Sequence, residues 1–232
     1  DQNVNVNTFN GSLLWEPWNI AKKDGTPYKV FTPYYRKGCL NSDKPRMPLP
    51  VPNLSNLISI DNHDLKIEDL ELMPKHNWYN KMISLWSPGE EGALYKIEEF
   101  ISNGLNNYKE GRNFPSNQNV SQLSPHLHFG EVSPNQVWYR AKTKEGKLGI
   151  KKDLDHFLSE LGWREFSFNL LYHFPFLPKE NLQKKFDNFP WENDKENLKK
   201  WQRGLTGYPI VDAGMHEFCL LYTSPSPRDS LS

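Results

Sequence analysis

The stretch FLSELGWREFSFNLLYHFP, Phe157 to Pro175, decides the fold. It reads as one long apolar helix that carries a glutamate, a tryptophan and an arginine among its greasy residues. At 100 degrees per residue, Phe157, Glu160, Trp163, Arg164 and Ser167 fall within an arc of about 120 degrees. Leu154, Leu158, Leu161, Phe168 and Tyr172 fill the adjoining sector, which is expected to face the core. The strip has two readings. In the first, Glu160 and Arg164 form an i, i+4 ion pair worth about 0.2–0.5 kcal/mol while Phe157 and Trp163 pack. In the second, aromatic, acidic and basic groups are gathered to meet a ligand.

Working outward, helix signals repeat. SPGE (Ser87 to Glu90) offers an N-cap serine, a proline at the first helical position and a glutamate at the third, the pattern of a capping box. Leu94, Ile97, Ile101 and Leu105 follow at helical spacing, with an expected end near Asn103 and Gly104. SPNQ (Ser133 to Gln136) repeats the device ahead of VWYRAK. SPHLHFG (Ser124 to Gly130) reads as a short helix with a serine start and a glycine stop. Upstream, the close prolines of DKPRMPLPVPNLSN forbid regular helix and predict an extended connector. The first 38 residues mix short apolar runs with turn residues and read as the end of an α/β unit.

Composition bounds the function. Hydrophobic residues make up 37% and aromatics 13% of the 232, enough to bury a substantial core. Basic and acidic residues balance at 28 each, so any contact with nucleic acid has to be a local patch. Two cysteines far apart, Cys39 and Cys219, argue against a disulfide framework, a zinc site or an iron–sulfur cluster and fit a reducing interior. No apolar run approaches the roughly 18 residues of a membrane span. His126 and His128 invite a metal reading, but i, i+2 side chains on a helix diverge by about 200 degrees.

Four segments in order also resemble a known family. FLSELGWREFSFNLLYHFP is similar to the signature helix of the DNA photolyase and cryptochrome family, and NGSLLWEPW with GTPYKVFTPYYR to the end of its α/β antenna domain. GLNNYKEGRNFPSNQNVSQLSPHLHFGEVSP resembles the flavin-phosphate segment, and WQRGLTGYPIVDAGM the block near the flavin. The resemblance runs from Asn10 to Phe218 and is most like a bacterial class I cyclobutane pyrimidine dimer photolyase. It implies a mainly α fold. Residues 1–38 would be the antenna remnant, 39–84 the linker, 85–218 a partial helical FAD-binding domain, and 219–232 a non-native or disordered tail.

The resemblance also implies roles. Tyr108 matches a tyrosine along the flavin, and Arg112 an arginine that contacts DNA phosphate. Val120, Ser121, Gln122, Leu123 and Ser124 match the segment around the FAD diphosphate, with Ser124 capping a helix whose free amides suit an anion. Val120 stands where the family usually has threonine, so one hydroxyl is lost. Phe157 and Arg164 would line the flavin. Glu160 would hydrogen-bond the damaged pyrimidine pair, Trp163 would pack against it, and Ser167 would sit at the DNA side. Desolvation would raise the pKa of Glu160 and Arg164 would lower it, and the sequence leaves that contest open. Trp191 matches the outermost tryptophan of the chain that photoreduces flavin. Trp201 reads as structural, and His216 departs from an arginine common there.

The activity implied is light-driven repair: reduced FAD passes an electron to a cyclobutane dimer flipped into a pocket on damaged DNA. Photolyases are among the enzymes that flip their target out of the duplex, a step that is cheaper for damaged bases. A cryptochrome, with the same fold and flavin but acting through partners, is the alternative; Glu160 and Trp163 favour repair. A second antenna chromophore is possible, its site mostly absent. The intact protein is expected to be a cytoplasmic bacterial monomer with no membrane partner. The chain starts at Asp1, and the family's inner tryptophans would follow Phe218, so it is expected to be a fragment that binds FAD weakly.

Overall fold

A computed structural model describes residues 5–53, 55–56, 66–73, 83 and 86–219. The parts of the expected linker at 54, 57–65, 74–82 and 84–85, and the expected tail from 220 on, lie outside the described residues. From residue 90 onward the α-helices are α1 (Glu90–Glu99, continuing as a π turn over Phe100–Gly104), α2 (Tyr108–Gly111), α3 (Ser124–Phe129), α4 (Pro134–Lys142), α5 (Lys151–His173), α6 (Lys195–Gln202) and α7 (Pro209–Cys219). Among the described residues there is no strand. The chain divides into two units, residues 1–50 with 88–187 and residues 51–87 with 188–232.

The first unit is built around α5. Leu154, Phe157, Leu158, Leu161 and Phe166 are buried on it, and Ile97, Phe100, Leu105, Tyr108, Val137 and Trp138 close over them from the helices before it. The N-terminal strap, residues 10–42, covers another side with Leu14, Trp15, Ile20, Tyr34, Tyr35 and Cys39. Gly162 makes this possible: a Cβ there would stand 2.5 Å from Cδ2 of Tyr35. Arg164 Nη1 donates to Ser12 O at 2.5 Å, Glu165 accepts from Leu14 and Trp15, and Asn169 Nδ2 donates to Pro17 O at 3.3 Å. The strap is thus stitched along the helix for two turns.

Phe168 and Tyr172 were expected on the core face, yet they are 42% and 53% exposed. The described hydrogen bonds of the strap reach Asn169 and His173 only through Pro17, and Trp18 of the strap meets the Tyr172 ring at 5.6 Å without burying it. The ion pair between Glu160 and Arg164 that the packing reading of the strip called for does not form, because Arg112 and Glu165 claim the two groups.

Caps divide in the same way. Ser133 and Gln136 form the expected capping box at α4, each side chain bonding the other's amide. SPGE does not. Gly89, at φ 97°, turns the chain into α1, so Ser87 is two residues too early to cap, and the Gly89 amide donates to Glu131. Ser124 does not cap α3 either. Gln122 adopts a left-handed backbone (φ 53°), the N-cap position falls on Leu123, and Ser124 is the first helical residue. The glycine stop at Gly130, φ 72°, is as expected.

In the second unit, Asp194 caps α6 by accepting from the amides of Glu196 and Asn197 at 2.9 and 3.0 Å. Asp212 of α7 accepts from Thr206 N, Thr206 Oγ1 and Gly207 N, and these bonds hold its carboxyl below the usual range.

Candidate functional site

Asp153, near the start of α5, accepts from the amides of Asn107 and Lys109, both at 2.9 Å. These two bonds fix the start of α2 on α5. Tyr108 is thereby buried, with its ring 5.5 Å from Phe157 and 5.6 Å from Phe100, both edge-on. Burial pushes its phenol up to about 12, so it stays protonated and available as a donor. Phe157 is itself core, 4.6 Å from the Phe100 ring.

One turn on, Arg112 lies over the Tyr108 ring at 5.3 Å and donates to its hydroxyl at 3.3 Å. Its Nη1 forms an ion pair with Oε1 of Glu160. Burial pulls the guanidinium pKa down, but the bond to Glu160 and the neighbouring Tyr108 outweigh it, and the net shift is upward. His156, one turn before Glu160, places Nε2 3.8 Å from the same Oε1. Tyr108, Arg112, His156 and Glu160 therefore form one cluster, its ionic side chains about a third exposed.

Trp163 lies 46% exposed on the next turn. Its indole stacks on Phe31 of the strap at 3.7 Å and 12°, and Phe31 stacks in turn on Tyr35 at 5.5 Å and 9°. This column of rings holds the tryptophan upright without burying it. Ser167, also exposed, bonds back to the carbonyl of Trp163. Arg164, by contrast, is committed to Ser12 O, to Glu165 at 3.4 Å and to the face of Phe168 at 4.9 Å.

The segment 117–124 is moored by Asn119, whose Nδ2 donates to the carbonyls of Gly104 and Asn106. Gly111 leaves the room, since a Cβ there would fall 2.1 Å from Asn119 Oδ1. Leu123 is buried, while Val120 and Gln122 are exposed and Ser121 half-buried. Among the described residues, the hydroxyls of Ser121 and Ser124 and the amides of Ser121 and Gln122 have no protein partner. Trp191, in the second unit, is 74% exposed, with its ring 4.7 Å from Phe189.

Two family models match, "DNA photolyase" over residues 1–53 and "FAD binding domain of DNA photolyase" over 157–220. The deoxyribodipyrimidine photo-lyase of Agrobacterium fabrum is 41% identical over 94% of this chain and 45% of its own length. Over nearly its whole length the chain is similar to members of the photolyase/cryptochrome family. A bacterial class III photolyase structure from Agrobacterium tumefaciens superposes with a TM-score of 0.81 at 40% identity, covering 94% of this chain and 44% of that one. Cryptochrome-2 of Arabidopsis thaliana is 33% identical over 94% of this chain and 37% of its own length. The chain thus spans less than half the length of these relatives.

The match to an FAD-binding domain over 157–220 points to FAD, and the donor set here suits such a group. Neutral hydroxyls and unpaired amides at 121–124 can accept a diphosphate without a competing carboxylate, and Tyr108 offers an aromatic wall ending in a donor. The sequence reading missed three residues that shape this face. His156 shares Glu160 with Arg112, and Phe31 supports Trp163. Glu165 is 2% exposed and tethers the strap. Burial pushes its carboxyl up to about 7, against the pull of the Trp15 and Leu14 amides and Arg164. The helical period carried the signal, because Glu165 falls between Leu154 and Leu158 in the middle of the apolar sector.

Proposed function

We propose that the chain is part of a light-driven DNA photolyase that repairs cyclobutane pyrimidine dimers by electron transfer from reduced FAD. The observation that carries the reading is the half-exposed face of α5. It sets a carboxylate, Glu160, one turn from an upright indole, Trp163, beside a guanidinium on the adjoining helix. Sequence reading placed the protein with class I enzymes; the 40%-identical Agrobacterium structure is a class III photolyase, and class III is the assignment we adopt. We keep residues 1–38 as the end of an antenna domain, in line with the family match over 1–53, and 39–84 as the linker. A monomer in the bacterial cytoplasm fits this role, and among the described residues no helix is long and apolar enough to cross a membrane.

FAD held here would supply the light-driven electron-transfer chemistry. The chain's own groups bind and orient. Ser121, Ser124 and the amides of Ser121 and Gln122 hold the diphosphate, and Val120 contributes no hydroxyl. Leu123 anchors that segment in the core, and Tyr108 and Phe157 form the wall beside the cofactor. Arg164 lines the flavin side through its stem while its head stays on the strap. Glu160 hydrogen-bonds the flipped dimer, Trp163 packs against it, and Arg112 and Ser167 meet the strand, fixing its register and leaving its sequence unread. Trp191, exposed as it is, serves as the entry point for electrons that reduce the flavin.

A lesion panel tests this. The full-length gene product is illuminated with oligonucleotides carrying a thymine dimer, a 6-4 photoproduct or no damage, and products are separated by chromatography. The reading expects thymines restored from the dimer alone, and only in light. Repair of the 6-4 product would reassign the substrate. Flavin photochemistry with neither repair would favour the cryptochrome reading, to which the 33% identity with Cryptochrome-2 lends weight.

A further inference from the structure

Glu160 does more than face a lesion: it occupies the cation beside it. Arg112 sits at the end of α2, aimed by the Tyr108 hydroxyl and ring, and its Nη1 is held by Glu160. Glu160 is fixed on the long helix, and His156 Nε2 lies 3.8 Å from the same carboxylate oxygen. The guanidinium is the mobile partner, on a stem of rotatable bonds, and its planar donors suit a phosphate as well as a carboxylate.

We propose that the Glu160–Arg112 pair is a latch that selects damaged DNA by partner exchange. This rests on the reading of the face as a DNA-binding site. A phosphate of any strand can take Arg112, but doing so strips Glu160 of its strong cation. A stacked, undamaged strand offers nothing in return and leaves a half-buried carboxylate short of a partner. A flipped pyrimidine pair presents ring N–H donors, so phosphate takes the guanidinium, the bases take the carboxylate, and both ions leave the latch satisfied. His156 keeps the carboxylate on its side of the cluster during the exchange. Glu160 therefore lowers affinity for undamaged DNA, a role opposite in sign to that of a simple contact residue.

Fluorescence anisotropy on the full chain, with a labelled oligothymidine strand bearing or lacking one dimer and a series of salt concentrations, tests the latch. Glu160→Gln should bind the undamaged strand roughly two- to fivefold tighter, the worth of a part-exposed ion pair. The freed cation should also steepen the salt slope by about 0.7, one further phosphate contact on a single strand. Arg112→Ala should weaken binding, and the double variant should bind like Arg112→Ala alone. Preference for the dimer should fall in Glu160→Gln. Equal or weaker binding of the undamaged strand by Glu160→Gln overturns the latch. So does a gain that persists without Arg112, or one that is matched by Glu110→Gln, which removes a neighbouring exposed charge. If Arg112→Ala binds like wild type, the DNA reading of the face fails, and the latch with it.

Discussion

Glu165 gives the sharpest quantitative prediction. It is 2% exposed, accepts from the amides of Leu14 and Trp15 at 2.8 and 3.1 Å, and has Arg164 at 3.4 Å. Burial raises its folded pKa to about 7 from the ordinary 4.5. The sign follows from linkage. Between these values the folded state holds a proton that the unfolded state has released, so the titration's contribution is full below about 4.5 and is lost as pH rises through about 7. At about 1.4 kcal/mol per unit, the loss is on the order of 3 kcal/mol. A glutamine at this position stays neutral and keeps an acceptor for the two amides. Thermal unfolding of wild type and Glu165→Gln from pH 4.5 to 8 should show the variant gaining relative to wild type by about 6–12 °C, at 2–4 °C per kcal/mol for a chain of this size. Parallel curves would refute the buried, proton-holding carboxyl. Neighbouring Tyr34 and Cys39 are pushed above the range of the experiment by burial and leave it undisturbed.

Three substitutions probe the scaffold. Gly162→Ala drives a methyl into the Tyr35 ring and should cost about 1–3 kcal/mol; because Tyr35 carries the Phe31–Trp163 stack, tryptophan emission should also shift. Unchanged stability and emission would mean that the strap yields freely. Gly111→Ala must expel Asn119 from its bonds to Gly104 and Asn106, so flavin titration should show affinity falling at least about tenfold, one to two lost hydrogen bonds' worth, and intact binding would free the segment 117–124 from its assigned role. Ser133→Ala opens the capping box of α4 and should cost about 1 kcal/mol in urea unfolding; no loss would show that the packing of Val137 and Trp138 alone holds that helix.

How much of this was legible in the sequence depended on whether the cause was local. The long helix, the box at Ser133 and the stop at Gly130 follow from period and from residues a few positions apart, and all appear where expected. The box at Ser87 and the cap at Ser124 failed because one left-handed residue, Gly89 or Gln122, shifted the helix start. Pairings across the chain were out of reach. Nothing in FLSELGWREF says that Glu160 meets Arg112, 48 positions earlier, in place of Arg164, four later; that depends on where α2 docks, which Asp153 decides. Phe31 beneath Trp163 is a contact of the same kind. Glu165 was within reach, since a carboxylate centred on an apolar sector needs a partner, and the free amides of the strap are that partner.

The most direct test of the account is light-dependent restoration of thymines from a dimer-bearing oligonucleotide by the flavin-loaded, full-length gene product, wild type against Glu160→Ala. The account predicts repair by the wild type in light and none in the dark. The variant should bind the same flavin, shown by its absorption spectrum after desalting, and repair at least about tenfold more slowly, the effect of losing one hydrogen bond to a buried group. Equal rates in the two proteins would contradict the assignment of this helix face to the lesion.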